Sequence, residues 1–173
     1  ETTVGYGDLA ARTLEGRIST MLLIYFCGIA IVAHVVVMYF EYNQEIRTSK
    51  LKGDWNWKMK NHIVFLNSPR ELGEEYFYQA ISQLRTCSSP LKKLTLIIVS
   101  DLFEDGLPDK LKKLNVSLVK KSIADNDALE AANVLNAHTI VAIAQKQLDP
   151  LADRINEDLI DRMREMGVKG RII

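Results

Sequence analysis

Apolar and polar positions divide the chain into three stretches. From Ile18 to Phe40 run 23 residues of Ile, Leu, Val, Met, Phe, Tyr and small side chains, with one ionisable group, His34. About 20 such residues cross the hydrocarbon core of a bilayer as a helix, so this block predicts a membrane span. The alternative is the core helix of a soluble protein, but such helices are usually shorter and seldom apolar on every face. A polar, basic stretch follows from Glu41 to Asn61, with a turn at Gly53-Asp54. After it the pattern changes to short apolar runs separated by helical periodicity. His62 to Asn67, Leu94 to Ser100, Val116 to Val119 and Ala137 to Ala144 read as strands of a parallel sheet covered on both faces. Gly73 to Leu84 places Phe77, Ala80, Ile81 and Leu84 on one helical face, and Leu107 to Leu114, Asp127 to Leu135 and Leu151 to Met166 read as further helices. This alternation predicts a Rossmann-like, doubly wound α/β domain with right-handed crossovers, in which Arg171 opens a fifth strand. The expected divisions are residues 1–42 for the membrane segment, 43–61 for a linker and 62–173 for the α/β domain.

Charge changes this picture in two ways. There are 22 basic and 22 acidic side chains and no block of like charge, so nothing calls for nucleic acid as a partner. Arg47, Lys50, Lys52, Lys58 and Lys60 follow the apolar block, against Arg12 and Arg17 before it. That excess places the C-terminal side in the cytoplasm, the span being surrounded by lipid of the plasma membrane, the inner membrane in a bacterium. Tyr39, Phe40 and Tyr42 stand where an interfacial aromatic belt would be. Trp55 and Trp57 suit either the membrane surface or packing on the next domain. His34 reads as a pH-sensitive pore residue or as a neutral imidazole bonded at an interface. Cys27 and Cys87 lack metal-ligand or redox spacing and are expected as free thiols. The opening without Met and the end at Arg171-Ile172-Ile173 read as the limits of a fragment.

Thr2-Thr3-Val4-Gly5-Tyr6-Gly7-Asp8 stands directly before the apolar block. Taken alone, Gly-Asp is ordinary turn punctuation. Beside a span the loop gains meaning, because non-helical backbone at membrane depth is tolerated only inside protein or against a water-filled cavity. The stretch resembles the potassium-channel signature, which in that family precedes a pore-lining helix. A K⁺ filter must replace the hydration shell with rings of oxygens, and the family aims backbone carbonyls at the pore axis. Successive carbonyls can face one way only where alternate residues reach backbone conformations that a Cβ forbids, a duty that falls to Gly5 and Gly7. The resemblance implies K⁺ held by the carbonyls of Thr3, Val4, Gly5 and Tyr6, the Thr3 hydroxyl adding the innermost ring, and Tyr6 and Asp8 bracing the loop. One strand cannot enclose an ion, so a homotetramer is implied. Gly28 falls near the family's gating-hinge glycine, although ungapped alignment from Gly16-Arg17 puts Cys27 there. A small-residue helix contact is the other use for Gly28.

A potassium pore joined to an α/β segment resembles the channels gated by a regulator-of-conductance domain, a module also related to regulatory subunits of potassium transporters. Ala128 to Val134, followed by the strand Thr139 to Ala142, carries that likeness. The domain departs from dinucleotide sites, which use G-x-G-x-x-G after the first strand so that pyrophosphate meets bare backbone. Here the turn reads Asn67-Ser68-Pro69-Arg70-Glu71-Leu72-Gly73, and Glu71, Glu74 and Glu75 bring negative charge to the helix start. Asn67 and Ser68 in this turn, with Asp101 after the second strand for a ribose hydroxyl, are the candidate contacts of an atypically held nucleotide. An assembly module with a degenerate pocket is the alternative. Asp149, Asp153, Asn156, Glu157 and Asp158 form an acidic group at the start of the last helix. They suit either part of a Ca²⁺ site or a solvated face favoured by the helix dipole. The expected function is a K⁺ channel gated by a small-molecule or ionic regulatory ligand, not an enzyme. A non-conducting regulatory subunit would leave the filter motif unexplained, and a membrane-anchored nicotinamide enzyme would need the missing fingerprint.

Overall fold

The computed structural model describes residues 11–146 and 150–173. The expected filter residues Thr3, Val4, Gly5, Tyr6, Gly7 and Asp8, and Asp149 of the acidic group, lie outside the described residues. The chain divides into two compact units, Glu1–Arg47 and Thr48–Ile173.

In the first unit, Thr13 caps helix α1 (Leu14–Leu23), its hydroxyl accepting the Gly16 N–H at 3.2 Å. Such a cap satisfies one of the free donors at a helix N-terminus. Ile24–Ile29 forms a π-helical turn, closed where the Ala30 N–H donates to Tyr25 O, five residues back. Helix α2 (Ala30–Lys52) follows without a break. The continuous helix Leu14–Lys52 has 39 residues, its most apolar window reaches a mean hydropathy of 2.5, and none of that window is buried. A soluble core helix buries its apolar face; no residue of α1 or α2 is buried among the described residues, and the helix is long and apolar enough to cross a membrane. At about 1.5 Å per residue the helix reaches roughly 58 Å, almost twice the ~30 Å hydrocarbon core.

The helix runs into the stretch expected as linker. Between Glu41 and Lys52 there is neither Gly nor Pro, and Glu, Gln, Arg, Lys and Leu all favour helix. It stops at Gly53, φ 86°, where the Asp54 N–H closes back onto Ser49 O at 3.0 Å. This six-to-one bond with a left-handed glycine is a Schellman ending.

The second unit is a five-stranded parallel sheet in the order β3-β2-β1-β4-β5. Its strands are β1 (Ile63–Leu66), β2 (Leu96–Val99), β3 (Val116–Val119), β4 (Thr139–Ala142) and β5 (Arg171–Ile172). Both faces are covered, as unbroken apolar runs require. One face joins Val64, Leu66, Ile97, Val99 and Ile140 to α5 (Asn126–Ala131) and α6 (Pro150–Glu165) through Leu129, Leu159 and Met163. The other joins Ile63, Phe65, Leu96 and Ile98 to α3 (Gly73–Thr86) and α4 (Asp109–Lys112) through Phe77, Ile81 and Leu111. The doubly wound expectation holds.

Two helices are shorter than their periodicity predicts. Pro108 occupies the cap of α4 in extended backbone, and Asn115 at φ 57° ends its turn. Asn133, at φ 50°, interrupts the helix expected from Asp127 to Leu135, leaving α5 and a separate 3-10 turn, Val134–Asn136. The Asn133 amide donates to Met59 O at 2.7 Å. Trp57 packs on this same unit, donating its backbone N–H to Ala131 O and its indole N–H to Leu118 O at 2.7 and 3.0 Å. Packing on the next domain is thus the role Trp57 takes.

Candidate functional site

In a parallel sheet, ligands gather outside the carboxyl ends of the strands where the winding reverses. Here that point lies between β1 and β4, whose crossovers run in opposite directions from the centre. A cleft of roughly 250 Å³ opens there, lined by Asn67 and Arg70 from the β1–α3 turn, Gln145 and Lys146 after β4, and Leu151, Ala152 and Ile155 of α6. The two rims are tied together, since the Arg70 N–H donates to Gln145 O at 3.1 Å. The cleft therefore combines two cations and two amides with an apolar wall.

The turn achieves its shape without the glycines of a dinucleotide fingerprint. Asn67 adopts φ 74° and Leu72 φ 56°, left-handed conformations that asparagine tolerates better than most residues. The Asn67 side chain is buried and its Oδ1 accepts the Ser68 N–H at 2.9 Å. Ser68 is buried as well, its hydroxyl 2.6 Å from that of Ser100 beyond β2. Gly73 is the one glycine of the turn, and a Cβ there would come within 2.5 Å of Leu102 Cδ2. That contact is with the far end of a flexible, partly exposed side chain, so it does not by itself require glycine.

Of the expected nucleotide contacts, Asn67 lines the cleft, Ser68 is engaged behind it with Ser100, and Asp101 is exposed just past β2 outside the cleft lining. Arg70, Gln145 and Lys146 had not been expected as a group; two cations flanking an amide at strand ends would have been the only hint. Asp153, Glu157 and Asp158 are exposed along α6. Among the described residues no three His, Cys, Asp or Glu side chains converge as metal ligands. Cys27 and Gly28 fall inside the π-helical turn, and His34 is exposed on α2.

Residues 2–45 match the model of an ion channel family. Comparison with curated proteins finds no match. Among solved structures, one described as "GsuK channel bound to NAD" is similar, with a TM-score of 0.54 and 17% sequence identity over 99% of this chain and 29% of that one. The chain thus spans less than a third of the length of that channel. The two comparisons agree with the resemblance read from the sequence: residues 2–45 match an ion channel, and the chain as a whole has the fold of one.

Proposed function

We propose that the chain is part of a subunit of a homotetrameric, K⁺-selective channel, whose α/β unit lies in the cytoplasm and binds a nucleotide that sets the gate. One observation carries the pore reading. Thr2 to Asp8 falls within the segment that matches an ion channel family, and a 39-residue helix whose apolar window is wholly unburied begins at Leu14. An apolar helix that the described residues leave unburied calls for lipid and other copies, and a filter calls for four. The π-helical turn at Cys27 and Gly28 is the candidate bend of the inner helix as the gate moves, since π turns are frequent at functional sites.

For the ligand, the similar channel is described as bound to NAD. The cleft suits a phosphate-bearing molecule, with Arg70 and Lys146 meeting the anion in place of bare backbone. At roughly 250 Å³ it lies just below the ~300–1,000 Å³ of common ligand pockets. It takes the phosphate end, while Asp101, exposed after β2 and outside the cleft lining, is the candidate for a ribose hydroxyl.

The test is flux through the full-length protein containing this chain, reconstituted in liposomes with and without NAD⁺. The expected result is K⁺ passage with Na⁺ held back, abolished in Gly5→Ala. Equal passage of Na⁺ and K⁺ would end the filter reading.

A further inference from the structure

Three pieces of backbone meet at the end of α2, all within the unit Thr48–Ile173. Gly106, φ 92°, lies so close to the helix end that a Cβ there would stand 2.5 Å from Leu51 O and 3.5 Å from Lys52 Cα. Gly53 is tight as well: a Cβ there would stand 2.8 Å from both Leu118 Cγ and the Lys120 N. Lys120 binds both sides: its backbone N–H donates to Gly53 O at 2.9 Å, and its ammonium donates to Glu104 O at 2.7 Å. Around Gly53 and Gly106 backbone meets backbone, so neither glycine can take a side chain without moving the helix end.

The loop that reaches Gly106 starts at Asp101, exposed just past β2 and proposed above as the ribose contact. It is short and anchored at both ends: the Leu102 N–H donates to Ser100 Oγ at 3.0 Å, and Phe103 and Leu107 are buried in the core. A loop pinned in this way has little freedom to absorb a shift at Asp101 before Gly106 moves.

We infer that Gly53, Gly106 and Lys120 form a clamp through which ligand-dependent movement of the Asp101–Gly106 loop is delivered to Leu51 and so to the inner helix. The last turn of α2 is then held by the sheet edge rather than hung on a flexible tether. This inference rests on the channel reading above, and a ligand moves the gate only if it binds the two loop positions unequally.

The experiment uses the reconstituted full-length protein and NAD⁺ as probe, with Gly106→Ala, Gly53→Ala and Lys120→Met. NAD⁺-dependent K⁺ flux should fall at least fivefold in both glycine variants and by a smaller factor in Lys120→Met. NAD⁺ affinity measured by calorimetry should stay within about twofold, and K⁺ over Na⁺ selectivity should not change. Hydrogen exchange on the same preparations should show the Asp54 and Lys120 amides opening faster in Gly106→Ala, a readout that needs no current. Lys120→Met adds no backbone strain and so covers the case in which a glycine variant fails to fold. Unaltered NAD⁺ response in Gly106→Ala, or in Lys120→Met if the glycine variants do not fold, overturns the clamp and leaves the channel reading standing. A wild-type protein that passes no K⁺ overturns the channel reading, and the coupling role with it.

Discussion

Ser68 and Ser100 face each other beyond the carboxyl ends of β1 and β2, their hydroxyl oxygens 2.6 Å apart and both residues buried. Ser100 also accepts the Leu102 N–H, at 3.0 Å. The pair thus fastens the β1–α3 turn, which lines the cleft, to the loop that runs from Asp101 toward Gly106. Ser100→Ala removes both bonds and leaves a buried hydroxyl without its partner, a loss of about 1–3 kcal/mol. The midpoint of denaturation should fall accordingly, while Ser82→Ala, on α3 away from this pair, should leave it nearly unchanged. Equal midpoints for Ser100→Ala and wild type would mean the hydroxyl pair contributes nothing.

His62 is expected to make the α/β unit sensitive to mild acid. It is fully buried, and its Nε2 lies 2.9 Å from Ala132 O, a carbonyl that can only accept, so Nε2 carries the proton and Nδ1 is bare. Burial holds its pKa below the ordinary 6.5, against a smaller opposing effect of the Ala132 bond. The unfolded chain therefore binds more protons than the folded one between the lowered value and about 6.5. Stability is full above that window and declines as pH falls through it. Denaturation midpoints measured from pH 7.5 to 5 should slope downward in wild type and flatten in His62→Gln, which keeps a donor for Ala132. An unchanged slope in the variant would assign the acid sensitivity elsewhere.

The parts legible in the sequence share a physical cause. Strands buried on both faces must be apolar at every position, so β1 and β2 are visible as IVFL and LIIV. A span must likewise be apolar all round. What was not legible depends on backbone geometry or on distant pairing. Nothing in the apolarity of Ile24 to Ile29 distinguishes a π turn from an α turn. The break at Asn133 depends on an asparagine accepting a left-handed conformation that Met59, far back in the chain, helps to hold. The helix continues to Lys52 through the charged stretch because Glu, Gln, Arg and Lys are good helix formers, and it ends at Gly53. The cleft went unseen because Arg70 and Lys146 are brought together only by the crossover that sets β4 beside β1.

Arg70 and Lys146 should set the affinity for a phosphate-bearing ligand. A charge-assisted hydrogen bond contributes about 1.5–3 kcal/mol, so Arg70→Ala or Lys146→Ala should weaken NAD⁺ roughly tenfold or more in calorimetry. The losses should grow smaller as salt is raised, because the cleft is open to solvent and its charges are screened. Glu71→Gln should act in the opposite direction by removing like charge beside the phosphate. Affinity that stays the same in both cation variants would move the ligand to another surface.

The π-helical turn makes the sharpest demand on the long helix Leu14–Lys52. Its wider hydrogen-bond ring, with Ala30 N–H reaching Tyr25 O, is less favourable than the α-helical ring and is retained mostly where function uses it. Gly28 sits within it, and a glycine inside a helix costs about 0.5–1 kcal/mol relative to alanine. Gly28→Ala should therefore draw the turn toward regular α-helix and, on the channel reading, remove the bend that gating would use. The reconstituted channel should then keep its selectivity for K⁺ over Na⁺, which the carbonyls of Thr3 to Tyr6 would determine, while losing most of its response to NAD⁺. Cys27→Ala, which keeps Gly28, should leave that response within about twofold, separating a hinge at the glycine from one at the position before it. If instead Cys27→Ala abolishes the response and Gly28→Ala preserves it, the bend lies one residue earlier, at Cys27. A full response in both variants would leave the turn without a part in gating.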